Sequence, residues 1–151
     1  MNRTARAIAT LGGAGYARHA PGTVASVLAL PFAWLIAWSA GRFFLLLAGI
    51  VALAIGAWAA ELYAGQTKTF DPSECVIDEL AGQWIACAFA PVSFTGFALA
   101  FVLFRLFDIW KPWPVRQAEH LHGGLGIMLD DVVAALLAGA ILVGLSHIGL
   151  I

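Results

Sequence analysis

Three long apolar runs decide what this chain can fold into. TVASVLALPFAWLIAWSAG follows Gly22, FFLLLAGIVALAIGAWAAELY covers residues 43–63, and VVAALLAGAILVGLSHIGLI closes the sequence. Each is near the roughly 20 residues needed to cross the hydrocarbon core of a bilayer. Backbone amides and carbonyls in lipid must be satisfied within the segment, so such runs are read as α-helices. At 62% hydrophobic and 11% charged, with a mean hydropathy of +0.89, the 151-residue chain lies outside the soluble range, and an integral membrane protein of one domain (1–151) is expected. A net charge of −1 and the absence of a basic cluster leave nothing to attract nucleic acid, which is set aside as a partner.

Between the apolar runs the charge is gathered, not scattered. FRLFDIWKPWPVRQAEHLHGGLGIMLDD, residues 104–131, holds Arg105, Asp108, Lys111, Arg116, Glu119, Asp130 and Asp131. A second polar stretch, residues 64–82, carries Asp71, Glu74, Asp78 and Glu79. Asp71 is placed as the N-cap of a helix opened by Pro72, with Asp71, Cys75, Asp78 and Gly82 on one face. Charges packed beside membrane-length helices cost free energy unless they pair, bind metal or face water, so chemistry is sought here.

The apolar stretch 80–104 poses a choice. As one straight helix it would carry Asp78 and Glu79 to the opposite side of the membrane from Arg105 and Asp108. Pro91, followed by Ser93, Thr95 and Gly96, offers a break that brings the two clusters to the same side. With that reversal, seven of the eight basic residues and all nine acids share one side and Arg42 alone occupies the other. The positive-inside bias makes the charged side cytoplasmic. The expected architecture is an all-α membrane bundle of about six helices: spans near 23–40, 43–63, 74–90, 93–109 and 130–150, and a short interfacial helix near 113–122 bearing Trp113, with Trp110 just before it, at headgroup level.

Carboxylates at Asp71, Asp78, Glu79, Asp108, Asp130 and Asp131 offer all-oxygen ligation, which suits Mg²⁺ better than zinc. Arg105 and Lys111 stand beside them, and Lys111 shares a helical face with Asp108 if that helix runs on to Pro112. Acids, metal and fixed cations together serve phosphoryl chemistry. A further anion site is expected where Gly22, Thr23 and Ser26 open the first span, with Thr23 as N-cap and free amides toward a phosphate. Cys75 and Cys87 have neither CxxC spacing nor an arginine six residues on, so a thiol nucleophile is not expected. The N-terminus lacks an apolar core of signal-peptide form and is expected to be retained.

The motifs APGTVAS (20–26), DPSECVIDELAG (71–82), FRLFDIWKPWP (104–114) and GGLGIMLDD (123–131) resemble, in order and spacing, those of the phosphatidylglycerophosphatase A family. The resemblance implies a Mg²⁺-dependent phosphatase of the bacterial inner membrane acting on a phospholipid substrate, with its site facing the cytoplasm. It implies catalytic or metal-binding roles for Asp78, Glu79, Asp108, Asp130 and Asp131, with Arg105 and Lys111 near phosphate, and a bundle built round a central helix. Where the family commonly has glycine, this chain has Ala135. The sequence leaves open a small cation-coupled transporter, whose carboxylates would be spread through the membrane depth. A phosphatidyltransferase lacks its DGxxAR-type signature here.

Overall fold

Small residues make up most of the inward faces of the long helices. On α2 (Pro21–Ala40) the buried positions are Gly22, Ala25, Ser26, Ala29, Ala33 and Ala37, while Phe32, Leu35 and Trp38 point outward. On α3 (Arg42–Thr67) Gly49, Gly56, Ala59 and Ala60 face inward. Lipid tails are as apolar as leucine, so helices in a bilayer associate through close backbone approach and leave bulky side chains to the lipid. The computed structural model describes residues 2–69, 72–118 and 123–151, and among them there is no strand.

The remaining helices are α1 (Arg3–Ala9), α4 (Ile77–Ala88), α5 (Phe94–Trp110), α6 (Val115–Ala118) and α7 (Gly124–His147); a 3-10 segment, Leu11–Tyr16, joins α1 toward α2. By length and apolarity α2, α3 and α7 are able to cross a membrane. Of five expected spans, the other two fall short: α4 has 12 residues and α5 has 17, about 18 and 26 Å at a helical rise of 1.5 Å per residue. They form the expected antiparallel pair. The Phe89 and Ala90 amides close α4 on the carbonyls of Ala86 and Cys87, and the Ser93 hydroxyl then accepts the Gly96 amide at 3.0 Å to open α5. Arg42 at the start of α3 donates to the Ala90 carbonyl at 3.4 Å, which places the reversal at the end of the bundle away from the acids.

The short helix α4 is the centre of the bundle, packed on α2, α3, α5 and α7. Its indole Trp84 donates to the Ala29 carbonyl of α2 at 3.0 Å, and Ile85 and Ala86 lie in an apolar cluster with Phe104, Ala134, Ala135 and Ala138. Ala135 is fully buried there, so the packing accommodates its methyl group. Gly82 does need to be glycine: a Cβ would lie 2.6 Å from the Phe104 ring and 3.2 Å from the Asp131 carbonyl oxygen.

Several expected boundaries move. The helix after Pro72 begins at Ile77 instead of 74, because the Val76 amide is taken by the Ala9 carbonyl of α1 at 2.8 Å and the Cys75 amide turns back to Pro72. The cap assigned to Asp71 falls outside the described residues. The interfacial helix is described over Val115–Ala118 only. The last helix starts at Gly124, not 130, after Gly123 at φ +86°. The Asn2-capped helix α1 and the 3-10 segment were not expected at all.

Candidate active site

One end of the bundle collects the N-terminal turns of α2, α4 and α7 with the C-terminal turn of α5. Asp78 and Glu79 lie in the first turn of α4, not deeper as their distance from Pro72 implied. Asp108 comes from the last turns of α5, and Asp130 and Asp131 from the second turn of α7. The early start of α7 explains the last pair: GIMLDD is already helical, so both aspartates are aimed inward and buried at 8% and 3% exposure.

Ion pairs account for part of this cluster. Arg105 is hydrogen-bonded to Asp108 one turn on, and its Nη1 lies 3.7 Å from Glu79 Oε1. Lys111 Nζ donates to Asp130 Oδ2 at 2.8 Å. The expectation that Lys111 continues the face of Asp108 is not met. The helix ends at Trp110, Lys111 turns left-handed at φ +46°, and its side chain reaches across to α7. Both cations therefore tie α5 to other helices, and each already has a carboxylate.

The pairing leaves a remainder. Five carboxylates face two cations, and ionised groups buried without compensation cost several kcal/mol each. Glu79 Oε2 and Asp131 Oδ2 are buried with no hydrogen-bond donor, and on the other side Arg105 Nε is buried with no acceptor. Oxygens of Asp78, Glu79 and Asp131 lie within 4.8 Å of one another, as do oxygens of Asp108, Asp130 and Asp131. Asp131 belongs to both groups. Hard, anionic oxygen donors in excess of cations, two of them with lone pairs that accept no hydrogen bond, fit a divalent metal, and an unused guanidinium N–H beside them fits an anion such as phosphate.

The first turn of α2 closes the site from a third direction. Gly22 is packed so tightly that a Cβ there would sit 1.9 Å from Glu79 Oε1 and 3.2 Å from Arg105 Nη1. With Pro21 first in the helix and the Val24 amide bonded to Ala20, the amides of Gly22 and Thr23 are the ones left free of intrahelical partners. Thr23 is not the cap; that position is Ala20, left-handed at φ +46°. Ser26 is buried, and its hydroxyl donates to the Gly22 carbonyl at 3.0 Å instead of facing an anion. Asp71, expected among the metal ligands, lies outside the described residues.

Sequence reasoning passed over Glu61. Its carboxylate accepts the Gly124 amide and so caps α7, fixing the helix that carries Asp130 and Asp131. Gly124 is also pressed on α3, where a Cβ would lie 2.0 Å from the Ala57 carbonyl oxygen. The available signal was a single acid in an otherwise apolar helix, opposite a glycine pair with free amides.

Comparison with known proteins shows the family. The family model described as phosphatidylglycerophosphatase A matches residues 7–146. The chain belongs to this family. Phosphatidylglycerophosphatase A of Escherichia coli (strain K12) is 34% identical over 137 residues, 89% of this chain and 79% of the relative. Its namesake in Haemophilus influenzae is 31% identical over 137 residues, 89% and 84% of the two chains. A putative phosphatidylinositol-3-phosphatase of Bacteroides thetaiotaomicron is 38% identical over 130 residues, 81% and 80%. No solved structure matches the chain. As a member of the phosphatidylglycerophosphatase A family with three helices able to cross a membrane, the chain is a phosphatase of phospholipid metabolism and a membrane protein of bacterial kind.

Proposed function

We propose that this chain hydrolyses phosphatidylglycerophosphate to phosphatidylglycerol and inorganic phosphate, with Mg²⁺, at the cytoplasmic face of the bacterial inner membrane. The observation that carries the reading is the pair of carboxylate groups sharing Asp131, with unpaired oxygens on Glu79 and Asp131 next to the unpaired Arg105 Nε. Asp78, Glu79, Asp108, Asp130 and Asp131 are the metal-holding set, and Mg²⁺ bound there supplies Lewis acidity and a water of lowered pKa.

The chain's own groups do the rest. Arg105 Nε and the Gly22 and Thr23 amides hold the phosphate oxygens, and Lys111 adds positive charge from the α7 side. Water attacks phosphorus, a carboxylate of the cluster takes its proton, and the bond from phosphorus to the glycerol oxygen breaks. That proton passes on to the departing oxygen, so the carboxylate is restored and the products are the lipid alcohol and phosphate. Burial of the acids keeps bulk water from competing for these contacts. Because the described carboxylates gather at one end of the bundle, a site for headgroup chemistry is better supported than a transporter's path through the membrane depth. The seven basic residues of that end support a cytoplasmic orientation by the positive-inside bias.

Phosphate release from phosphatidylglycerophosphate in detergent micelles tests the reading. Turnover with Mg²⁺, loss in excess EDTA and recovery on adding Mg²⁺ are expected. Full turnover in EDTA would overturn the metal assignment. Phosphatidylinositol 3-phosphate belongs in the same assay, because the relative from Bacteroides thetaiotaomicron carries that name; faster release from it would replace the substrate while leaving the chemistry in place.

A further inference from the structure

Below the acid cluster, between α2 and α5, runs a groove of about 370 Å³ whose lining is entirely apolar. Pro31 and Trp34 form one wall, and Phe97, Ala98, Phe101 and Val102 the other. Trp34 meets the buried Phe97 edge to face, ring centroids 5.1 Å apart at 74°, which closes the floor. Val102 is 56% exposed, so the groove opens sideways toward lipid.

We propose that this groove seats one acyl chain of the phospholipid whose phosphate lies at Arg105, an inference that rests on the lipid-phosphatase reading. The two helices that wall it are the ones whose other ends carry Gly22 and Arg105. Val102 precedes Arg105 by about 4.5 Å of helical rise and Phe97 by about 12 Å. Along α5 the lining thus begins about one turn from Arg105 and runs to Phe94, about 16 Å of rise from Arg105, close to the depth of one leaflet, about 15 Å of hydrocarbon. A lipid with its phosphate among Arg105 and the α2 amides must hang its chains along this line. No other chemistry on this surface suits the lining, because no polar group is there to hold a headgroup or a peptide.

The groove does not draw the chain out of the bilayer, since lipid is already as apolar as the lining. Its effect is to fix the height and tilt of the headgroup against the acids, and misplacement by about 1 Å can cost a reaction 10²-fold. The groove is therefore a positioning element, expressed in kcat/KM for long-chain substrate.

Two measurements decide it. Ala98→Trp fills the groove, and kcat/KM is compared for palmitoyl and butyryl forms of phosphatidylglycerophosphate. The palmitoyl-to-butyryl ratio should fall at least about tenfold, while Leu136→Trp on the lipid face of α7 should not change it. An unchanged ratio in Ala98→Trp overturns the proposal. Photolabelling of the wild-type protein gives a readout that needs neither turnover nor a variant that folds. Phosphatidylglycerophosphate with a mid-chain diazirine should label α2 and α5 beside the groove more strongly than phosphatidylcholine with the same chain at equal mole fraction. Equal labelling means ordinary bulk lipid occupies the groove and ends the proposal, whereas failure of phosphate release with selective labelling would fall on the lipid-phosphatase reading alone.

Discussion

Both ends of this bundle are closed by arginine, and the contrast between them separates structure from chemistry. At the far end Arg42 donates to the Ala90 carbonyl, and among the described residues no carboxylate gathers there. At the near end Arg105 and Lys111 meet carboxylates and are outnumbered by them. The far end needs its cation only to satisfy a helix terminus. The near end keeps buried oxygens without donors, a condition that costs stability and that a protein retains where a cation or substrate relieves it.

Asp131 should break the comparison most completely. It is the member shared by the two oxygen groups, and its Oδ2 has no donor. Asp131→Asn keeps the shape and removes the charge. The expected loss in phosphate release is at least about 10³-fold, the upper part of the range for a group that stabilises transition-state charge. Without metal, the same variant should melt no lower than the wild type, because one uncompensated buried charge has gone. If the acids were merely a web of salt bridges the two readouts would exchange: lower melting temperature and near-normal turnover per folded molecule. Asp108→Asn should lose at least about 10²-fold, and here some stability goes with the activity, because Arg105 loses its hydrogen-bonded carboxylate and keeps only the longer pairing with Glu79.

Gly22→Ala gives a smaller effect of a different kind. The added methyl group lands on the Glu79 carboxylate, a side chain that can swing away, so the helix should still form. Glu79 then leaves its place beside Arg105 and Asp131. A loss of about 10–10² in kcat/KM is expected from displacement on this scale, with little change in folded yield. Unchanged kcat/KM would show that the α2 turn does not border the reacting phosphate.

These cases also show how far sequence could see. The long helices were legible because apolar runs of that length have one outcome in lipid, and the break at Pro91 was legible because a single straight helix would separate Asp78 from Asp108. The convergence of Asp78, Glu79, Arg105, Asp108, Asp130 and Asp131 followed from the same argument. What sequence missed was set by contacts between distant segments. The start of α4 waits for the Ala9 carbonyl to take the Val76 amide, and the direction of Lys111 depends on Asp130 across the bundle. Glu61 has meaning only once Gly124 is packed on α3. The cap role of Asn2, whose side chain accepts the amides of Thr4 and Ala5, was local and could have been read.

The smallest effect is expected at the far end. Arg42 is exposed, and its guanidinium donates at 3.4 Å to a carbonyl at the tip of the α4–α5 pair. Arg42→Ala removes that bond, which is worth about 1 kcal/mol or less at a position water can reach. Orientation in the membrane should survive too, since the seven other basic residues stand on the opposite side and Arg42 opposes their bias instead of creating it. The check is a single cysteine at the exposed Val92, in a background freed of Cys75 and Cys87, treated with an impermeant thiol reagent from each side of the membrane. Labelling from the side away from the cytoplasm, with phosphate release within about twofold of the parent, is the expected result for a bond of this strength. Labelling from the cytoplasmic side in the parent would invert the assigned orientation. A large loss of activity in Arg42→Ala would mean that the reversal at Pro91 is coupled to the acids through α4, and the two ends could no longer be treated as separate.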